Sequence, residues 1–360
     1  MMAIVNIGMI GLGEVAQTVH LPILAEMPDR FRVTAICDIS PMLLREIGDR
    51  LHLPDTARHQ RFEDVVARDD VDLVMILTSS EFHAEAAIAA IEAGKHTFIE
   101  KPMCLTLAEA DAIVRARDIA KVQVLVGYMR RFAPAFVEAV RLLPSLGDLR
   151  YGRVRAIIGP NATFIDQSKV RVVRPRDFPE GSVEDRRERD RAGVLEAIGE
   201  VSLALQNTYR LLGGLSSHDL SAMRELLGMP LGVVSASHWN DGRAIHAVFD
   251  YGSYQVAFET HVDAQARFDA NIEVYGSSKS MRIQYDTPYL RQLPTELHIT
   301  ETVGTQLTQT VVRPTLSDPY TVELEHVHGV VSGTETVKTT PEDSREDLVL
   351  FQWIIEAIRR

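Results

Sequence analysis

A chain of 360 residues with an apolar fraction of 46% is long for one domain and sufficient for two, each with its own core. A formal charge of -12, from 38 basic and 50 acidic residues, argues against nucleic acid or an anionic membrane as partner. Two cysteines, Cys37 and Cys104, exclude a disulfide framework. Neither stands at metal-ligand spacing, so both read as buried thiols and no metal site is expected. No apolar run reaches the length a bilayer requires. The run Met1-Met2-Ala3-Ile4-Val5 has no basic leader and continues into a glycine-rich turn, which predicts a first strand instead of a signal peptide, and a cytoplasmic address.

Residues 4–10 read as a fully buried parallel strand, bounded by glycine. Helical pattern follows from Glu14, and Pro22 predicts that this helix either ends near His20 or kinks there. A second strand spans 31–37, with Asp38 at its end. A helix over 41–51 follows, with Ser40 as N-cap before Pro41. A short helix over 61–68, a strand over 71–77 and an alanine-rich helix over 81–93 closed by Gly94 come next. Strand 96–100, a helix opened by Thr106 with Glu109 as capping box, and strand 122–127 complete the alternation. This order predicts a doubly wound parallel sheet of Rossmann type over residues 1–127.

After residue 150 the period changes. Alternating segments at 154–158, 244–249, 255–260, 271–275, 281–285, 296–300 and 308–312 predict an α+β domain over 128–360, with a large, open, mostly antiparallel sheet. A final helix spans 342–360. Residues 166–200 depart from both patterns through dense charge. They read either as a solvated helix with mixed-sign pairs or as an inserted lid or oligomer contact. Strand 255–260 carries apolar residues on a sheet with few helices left to cover it, which predicts a homodimer or homotetramer formed through the open face.

Three constellations carry chemistry. In the first, Gly11-Leu12-Gly13-Glu14-Val15-Ala16 follows a strand and opens a helix. Gly11 permits the turn, Gly13 permits close approach of a pyrophosphate, and Ala16 permits close helix packing. Asp38 can accept hydrogen bonds from ribose hydroxyls and repels a 2′-phosphate. With no arginine immediately after it, NAD is expected over NADP. In the second, Thr78-Ser79-Ser80-Glu81-Phe82-His83 follows the third strand, where backbone and hydroxyl groups can line the nicotinamide ribose. His83 is either a cap or a cofactor contact. The third is Glu100-Lys101-Pro102. A buried lysine beside a nicotinamide cation has its charged form disfavoured, which suits proton transfer near neutral pH; Glu100 can orient the loop.

These motifs, with Gly8-Met9-Ile10-Gly11-Leu12-Gly13, Ala93-Gly94-Lys95-His96 and Gly127-Tyr128-Met129-Arg130-Arg131-Phe132, resemble the glucose-fructose oxidoreductase / inositol dehydrogenase / rhizopine catabolism (Gfo/Idh/MocA) family. The resemblance is dense over the first 135 residues. It reappears at His218, at Tyr275-Gly276-Ser277-Ser278-Lys279 and in the closing helix. It implies a Rossmann domain followed by a domain with a large open sheet that makes oligomer contacts and one wall of the substrate site. It also implies NAD(P)-dependent oxidation or reduction at a carbon of a sugar, cyclitol or related polyol.

Lys101 is then the proton acceptor and donor, with His218 hydrogen-bonded to the reacting oxygen. Arg131 is placed at the cofactor and substrate. The family's third signature carries an acid four residues before its histidine, and here that position is Gly214. Asp219 or Tyr209 are the candidates to join the relay. Two alternatives stand beside a dehydrogenase: a redox-neutral sugar-converting enzyme that works through a transient ketone, by glycoside cleavage or epimerisation, and a non-catalytic nucleotide- or sugar-binding regulator of the same fold.

Overall fold

Apolar side chains in unbroken runs form the inner strands of the first sheet, because helices cover both of its faces. In the computed structural model, which describes residues 4–360, these are β1 (Val5–Ile10), β2 (Phe31–Cys37), β3 (Arg58–His59), β4 (Leu73–Ile76), β5 (His96–Glu100) and β6 (Val124–Gly127). Of the run assigned to the first strand, residues 1–3 lie outside the described residues. The sheet order is β3-β2-β1-β4-β5-β6, with every pairing parallel. The connecting helices are α1 (Leu21–Glu26), α2 (Pro41–Arg50), α3 (Phe62–Val66), α4 (His83–Glu92) and α5 (Leu107–Ala120). Ser40 caps α2 by accepting the Leu43 N–H at 3.1 Å, and Thr106 and Glu109 form the expected capping box on α5. The helix after the glycine-rich turn does not stop at His20. It passes through a π-turn over Ala16–His20 into α1, the local adjustment expected where Pro22 removes a backbone donor.

The remaining elements are α6 (Pro134–Leu142), β7 (Tyr151–Ile158), α7 (Asn161–Ser168), α8 (Ser182–Ile198), α9 (Leu203–Leu211) and α10 (Ser217–Leu227), then β8 (Gly232–Trp239), β9 (Ala244–Asp250), β10 (Gln255–Val262), β11 (Phe268–Tyr275), β12 (Lys279–Tyr285), β13 (Glu296–Val303) and β14 (Gln306–Val312), and finally α11 (Pro319–Val331) and α12 (Pro341–Arg359). The second sheet runs β14-β13-β12-β11-β7-β10-β9-β8 and is antiparallel except for the β7–β10 pair. Strand β8 was not anticipated, because its outward residues blur the alternation that marks its neighbours.

One face of this sheet buries Val154, Ala156, Val256, Phe258, Ile272 and Ile283 beneath helices that include α6 and α10. The opposite face is not the apolar one expected from 255–260. The period of two sends Val256 and Phe258 to the core and leaves Glu259 outward. There Arg153, Arg155 and Arg282 pair with Glu259, Asp269 and Glu273 at 3.0–3.9 Å.

The chain divides into two compact units. The first takes the residues up to Gly127 together with Val170–Ala197 and Glu323–Arg345; the second takes Tyr128–Lys169, Ile198–Val322 and Glu346–Arg360. The charged segment and the stretch before the closing helix, read in sequence as parts of the second domain, therefore pack with the first unit. Arg189 of α8 bonds Glu85 at 2.9 Å and stacks over Phe82, and Gly193 lies so close to Leu105 that a Cβ would stand 2.7 Å from its Cδ1. The Val126 N–H bonds the Thr339 carbonyl at 3.0 Å, and Arg345 reaches Asp111 at 2.6 Å. Among the described residues no helix is long and apolar enough to cross a membrane.

Candidate cofactor and proton-transfer site

The glycine-rich turn leaves β1 at its carboxyl end. Gly11 has φ +93°, and a Cβ there would stand 2.7 Å from the Thr78 nitrogen, so the backbone passes where no side chain fits. At Gly13 the requirement differs: a Cβ would meet nothing within 4 Å, so the space above the turn is open. Helix begins at Glu14, and its first-turn N–H groups border that space. Asp38 accepts the Leu12 N–H and the Ser40 N–H, each at 2.9 Å, and so ties the turn to the start of α2. Burial raises its carboxyl above the ordinary value against the pull of those two donors, and Asp177 adds to the rise.

The loop after β4 brings Thr78, Ser79 and Ser80 alongside. The Thr78 hydroxyl oxygen is buried and has no hydrogen-bond partner among the described residues. An open space above Gly13, a helix start beside it and an orphaned hydroxyl on the neighbouring strand end fit a dinucleotide. His83 serves as a brace. Its Nδ1 lies 2.8 Å from the Pro102 carbonyl and its Nε2 lies 2.9 Å from the Thr78 carbonyl. Burial lowers its pKa, so the neutral ring donates to one of the two.

Strand β5 ends in Glu100, and Lys101 follows. The lysine is half-buried, not buried as its strand context implied. Its N–H bonds Glu100 Oε2 at 3.1 Å, while Glu100 Oε1 lies 2.8 Å from His20 Nε2. Burial opposes ionisation of Glu100, but His20 and Lys101 outweigh it and hold the carboxyl below its usual range. Close by, Glu323 of α11 is buried, with neither carboxylate oxygen hydrogen-bonded among the described residues. Desolvation, reinforced by Glu100, raises its pKa well above the ordinary value and keeps it protonated.

In the second unit, His218 and Asp219 lie in the first turn of α10, both buried. Asp219 forms an ion pair with Arg130, whose guanidinium stands 5.1 Å from the Tyr285 ring centre and 5.5 Å from that of Phe268. The carboxylate considered for the missing acid is thus engaged by an arginine. Arg131, placed in sequence at the cofactor, pairs with Glu225 and lies over the Tyr128 ring. Tyr209 packs edge-on against Phe351 in the core. Gly214 sits in a π-turn over Leu212–Ser216, with nothing within 4 Å of a would-be Cβ.

Residues 5–128 match the model of the oxidoreductase family with NAD-binding Rossmann fold, GFO_IDH_MocA. This part of the chain is similar to the Gfo/Idh/MocA NAD-binding domain. His218, Asp219 and Tyr209 lie beyond the match. Inositol 2-dehydrogenase of Salmonella typhimurium is 32% identical over 139 residues, which cover 38% of this chain and 41% of that protein. A glycosyl hydrolase family 109 protein of Shewanella pealeana is 37% identical over 117 residues, 31% of this chain and 24% of its own. The chain thus spans well under half the length of the curated relatives it matches. Levoglucosan dehydrogenase in complex with NADH shares the fold with a TM-score of 0.76 at 18% identity, over 99% of this chain and 97% of that one.

Four residues of these sites escaped the sequence reading. His20 carries a signal, since it falls nine residues beyond Gly11 on the helix the Gfo/Idh/MocA turn opens. Arg130 carries a partial one inside the Arg130-Arg131 pair. Asp177 carries none, because Ser40 and Met42 are far away in the chain, and Glu323 carries none, because its burial beside Glu100 is set by the fold.

Proposed function

We propose that the protein is an NAD-dependent oxidoreductase that moves a hydride between the nicotinamide and a carbon of a sugar, cyclitol or related polyol. The observation that carries this reading is topological. The glycine-rich turn, the Thr78 loop and Lys101 leave the sheet at the carboxyl ends of β1, β4 and β5, three neighbouring strands, which is where ligands of open parallel sheets bind. A bound nicotinamide supplies the hydride acceptor. Gly11, Leu12, Gly13, Glu14 and Val15 hold the pyrophosphate. Asp38 takes the adenosine ribose and favours NAD over NADP. Thr78, Ser79 and Ser80 line the nicotinamide ribose, and His83 and Glu100 set the backbone around Lys101. Lys101 accepts the hydroxyl proton at Nζ, and His218 hydrogen-bonds the reacting oxygen.

Lys101→Ala tests the assignment. It should lower turnover on an accepted polyol by about 10² or more while cofactor affinity stays nearly unchanged. Near-normal turnover would remove Lys101 from the mechanism.

The similarity to a glycosyl hydrolase family 109 protein favours a second reading, in which the cofactor is reduced and reoxidised within one turnover. Product formed without net NADH from a glycoside substrate distinguishes it. A homodimer or homotetramer formed through the charged sheet face completes the proposal. Its association should weaken at high salt in sedimentation, since exposed ion pairs are screened.

A further inference from the structure

Residues 170–177 run ahead of α8 as an extended strap on the first unit, and three contacts fix its course. The Gln17 amide pairs both ways with Val173: it accepts the Val173 N–H at 2.7 Å and donates to the Val173 carbonyl at 3.0 Å. The same amide donates to the Leu12 carbonyl at 2.8 Å. Arg174 lies 3.7 Å from Glu14. Asp177 accepts the Ser40 O–H at 2.5 Å and the Met42 N–H at 2.6 Å.

Leu12, Glu14 and Gln17 belong to the glycine-rich turn and its helix, and Ser40 and Met42 to the start of α2. The strap therefore spans from the turn to the ribose acid. Two carboxylates converge on one residue: Asp38 takes the Ser40 N–H and Asp177 takes the Ser40 O–H. Asp177 also seals the N-terminus of a ten-residue helix, a place that attracts anions. The Ser40 hydroxyl, the Met42 N–H and the charge of Arg45 hold its carboxyl below the ordinary range, so it is ionised at neutral pH.

We propose that Asp177 is a specificity-determining residue, held by the strap so that its charge fills the place a 2′-phosphate would take, and that the strap covers the adenosine end of bound NAD. This rests on the nicotinamide chemistry proposed above and on Asp38 as the ribose acid. A 2′-phosphate would meet two carboxylates in place of one. Removing the charge of the second should change discrimination by about tenfold or more.

The test is calorimetric titration of the nucleotide-free protein with NAD+ and with NADP+, for wild type, Asp38→Ala, Asp177→Asn and Asp177→Ala. Asp177→Asn removes the charge and keeps one acceptor oxygen, for the Met42 N–H, while its amide N–H can donate to the Ser40 hydroxyl oxygen; Asp177→Ala serves if that variant folds poorly. The expected result is a wild-type preference for NAD+ that falls about tenfold in either Asp177 variant. Trypsin cleavage after Arg171 and Arg176 should slow with NAD+ relative to cleavage elsewhere. An unchanged cofactor ratio at Asp177 with a shifted ratio in Asp38→Ala overturns this inference and leaves the NAD reading standing. Unchanged cleavage overturns the covering role. Wild type that binds neither nucleotide, or prefers NADP+, overturns the NAD reading and the inference with it.

Discussion

His20 Nε2 stands 2.8 Å from Glu100 Oε1, with both side chains buried in the first unit. His20 ends the π-turn that follows the glycine-rich turn, and Glu100 ends β5 immediately before Lys101. The pair thus braces the cofactor-side helix against the strand that presents the lysine.

Removal of one partner from a buried pair costs about 3–5 kcal/mol, because the other is left uncompensated. His20→Ala and Glu100→Ala should each destabilise by about that much, and the double variant by clearly less than the sum, in denaturant melts. The folded-state pKa of Glu100 is depressed, so its stabilisation is fully present above the unfolded carboxylate value, about 4.3, and is lost as pH falls through the lower folded value. Glu100→Gln should accordingly flatten the acid limb of the stability profile. An unaltered limb would show that the pair carries no charge.

Glu323 makes the opposite prediction. Its folded pKa is raised, so above the unfolded value the folded state binds more protons than the unfolded one, and stability falls as pH rises. Glu323→Gln removes that slope. Its melting temperature should exceed that of wild type by about 2 °C or more at about pH 8, and the gap should close near about pH 4. A gap independent of pH would contradict a protonated Glu323.

For Asp219, the pairing with Arg130 predicts a structural phenotype. Asp219→Asn leaves a buried guanidinium uncompensated and should cost about 3 kcal/mol or more. The paired replacement Arg130→Met with Asp219→Leu should recover most of it. A stable but inactive Asp219→Asn would return the residue to the proton relay.

His218→Ala should lower kcat/KM by about 10², the scale of a positioned acid–base or hydrogen-bonding group. Tyr209→Phe should be nearly neutral, since its ring packs on Phe351. Gly214→Asp should be tolerated sterically, because nothing stands within 4 Å of the new Cβ. If the tyrosine variant is dead and the histidine variant active, the relay differs from the one proposed.

The first sheet was legible because its signals are local. Strands Phe31–Cys37 and His96–Glu100 have the bounds that their apolar runs imply, and Ser40, Thr106 and Gly94 punctuate the helices by short-range chemistry. Gly11, Gly13 and Asp38 were readable for the same reason: a turn, a helix start and a strand end are set by neighbours in sequence.

What the sequence by itself determined was therefore the alternation of elements, the change of period after residue 150 and the residues at the strand ends. Only the tertiary structure decided that 170–197 packs with the first unit, that Asp177 reaches Ser40 across 137 residues, and that Asp219 is engaged by Arg130 across 89. It also decided which face of the second sheet is charged, since alternation alone defines two faces without saying which one the helices cover. The physical reason is common to all of these. Ion pairs, buried carboxyls and covered faces depend on distance in space, and a composition or a period carries no record of it.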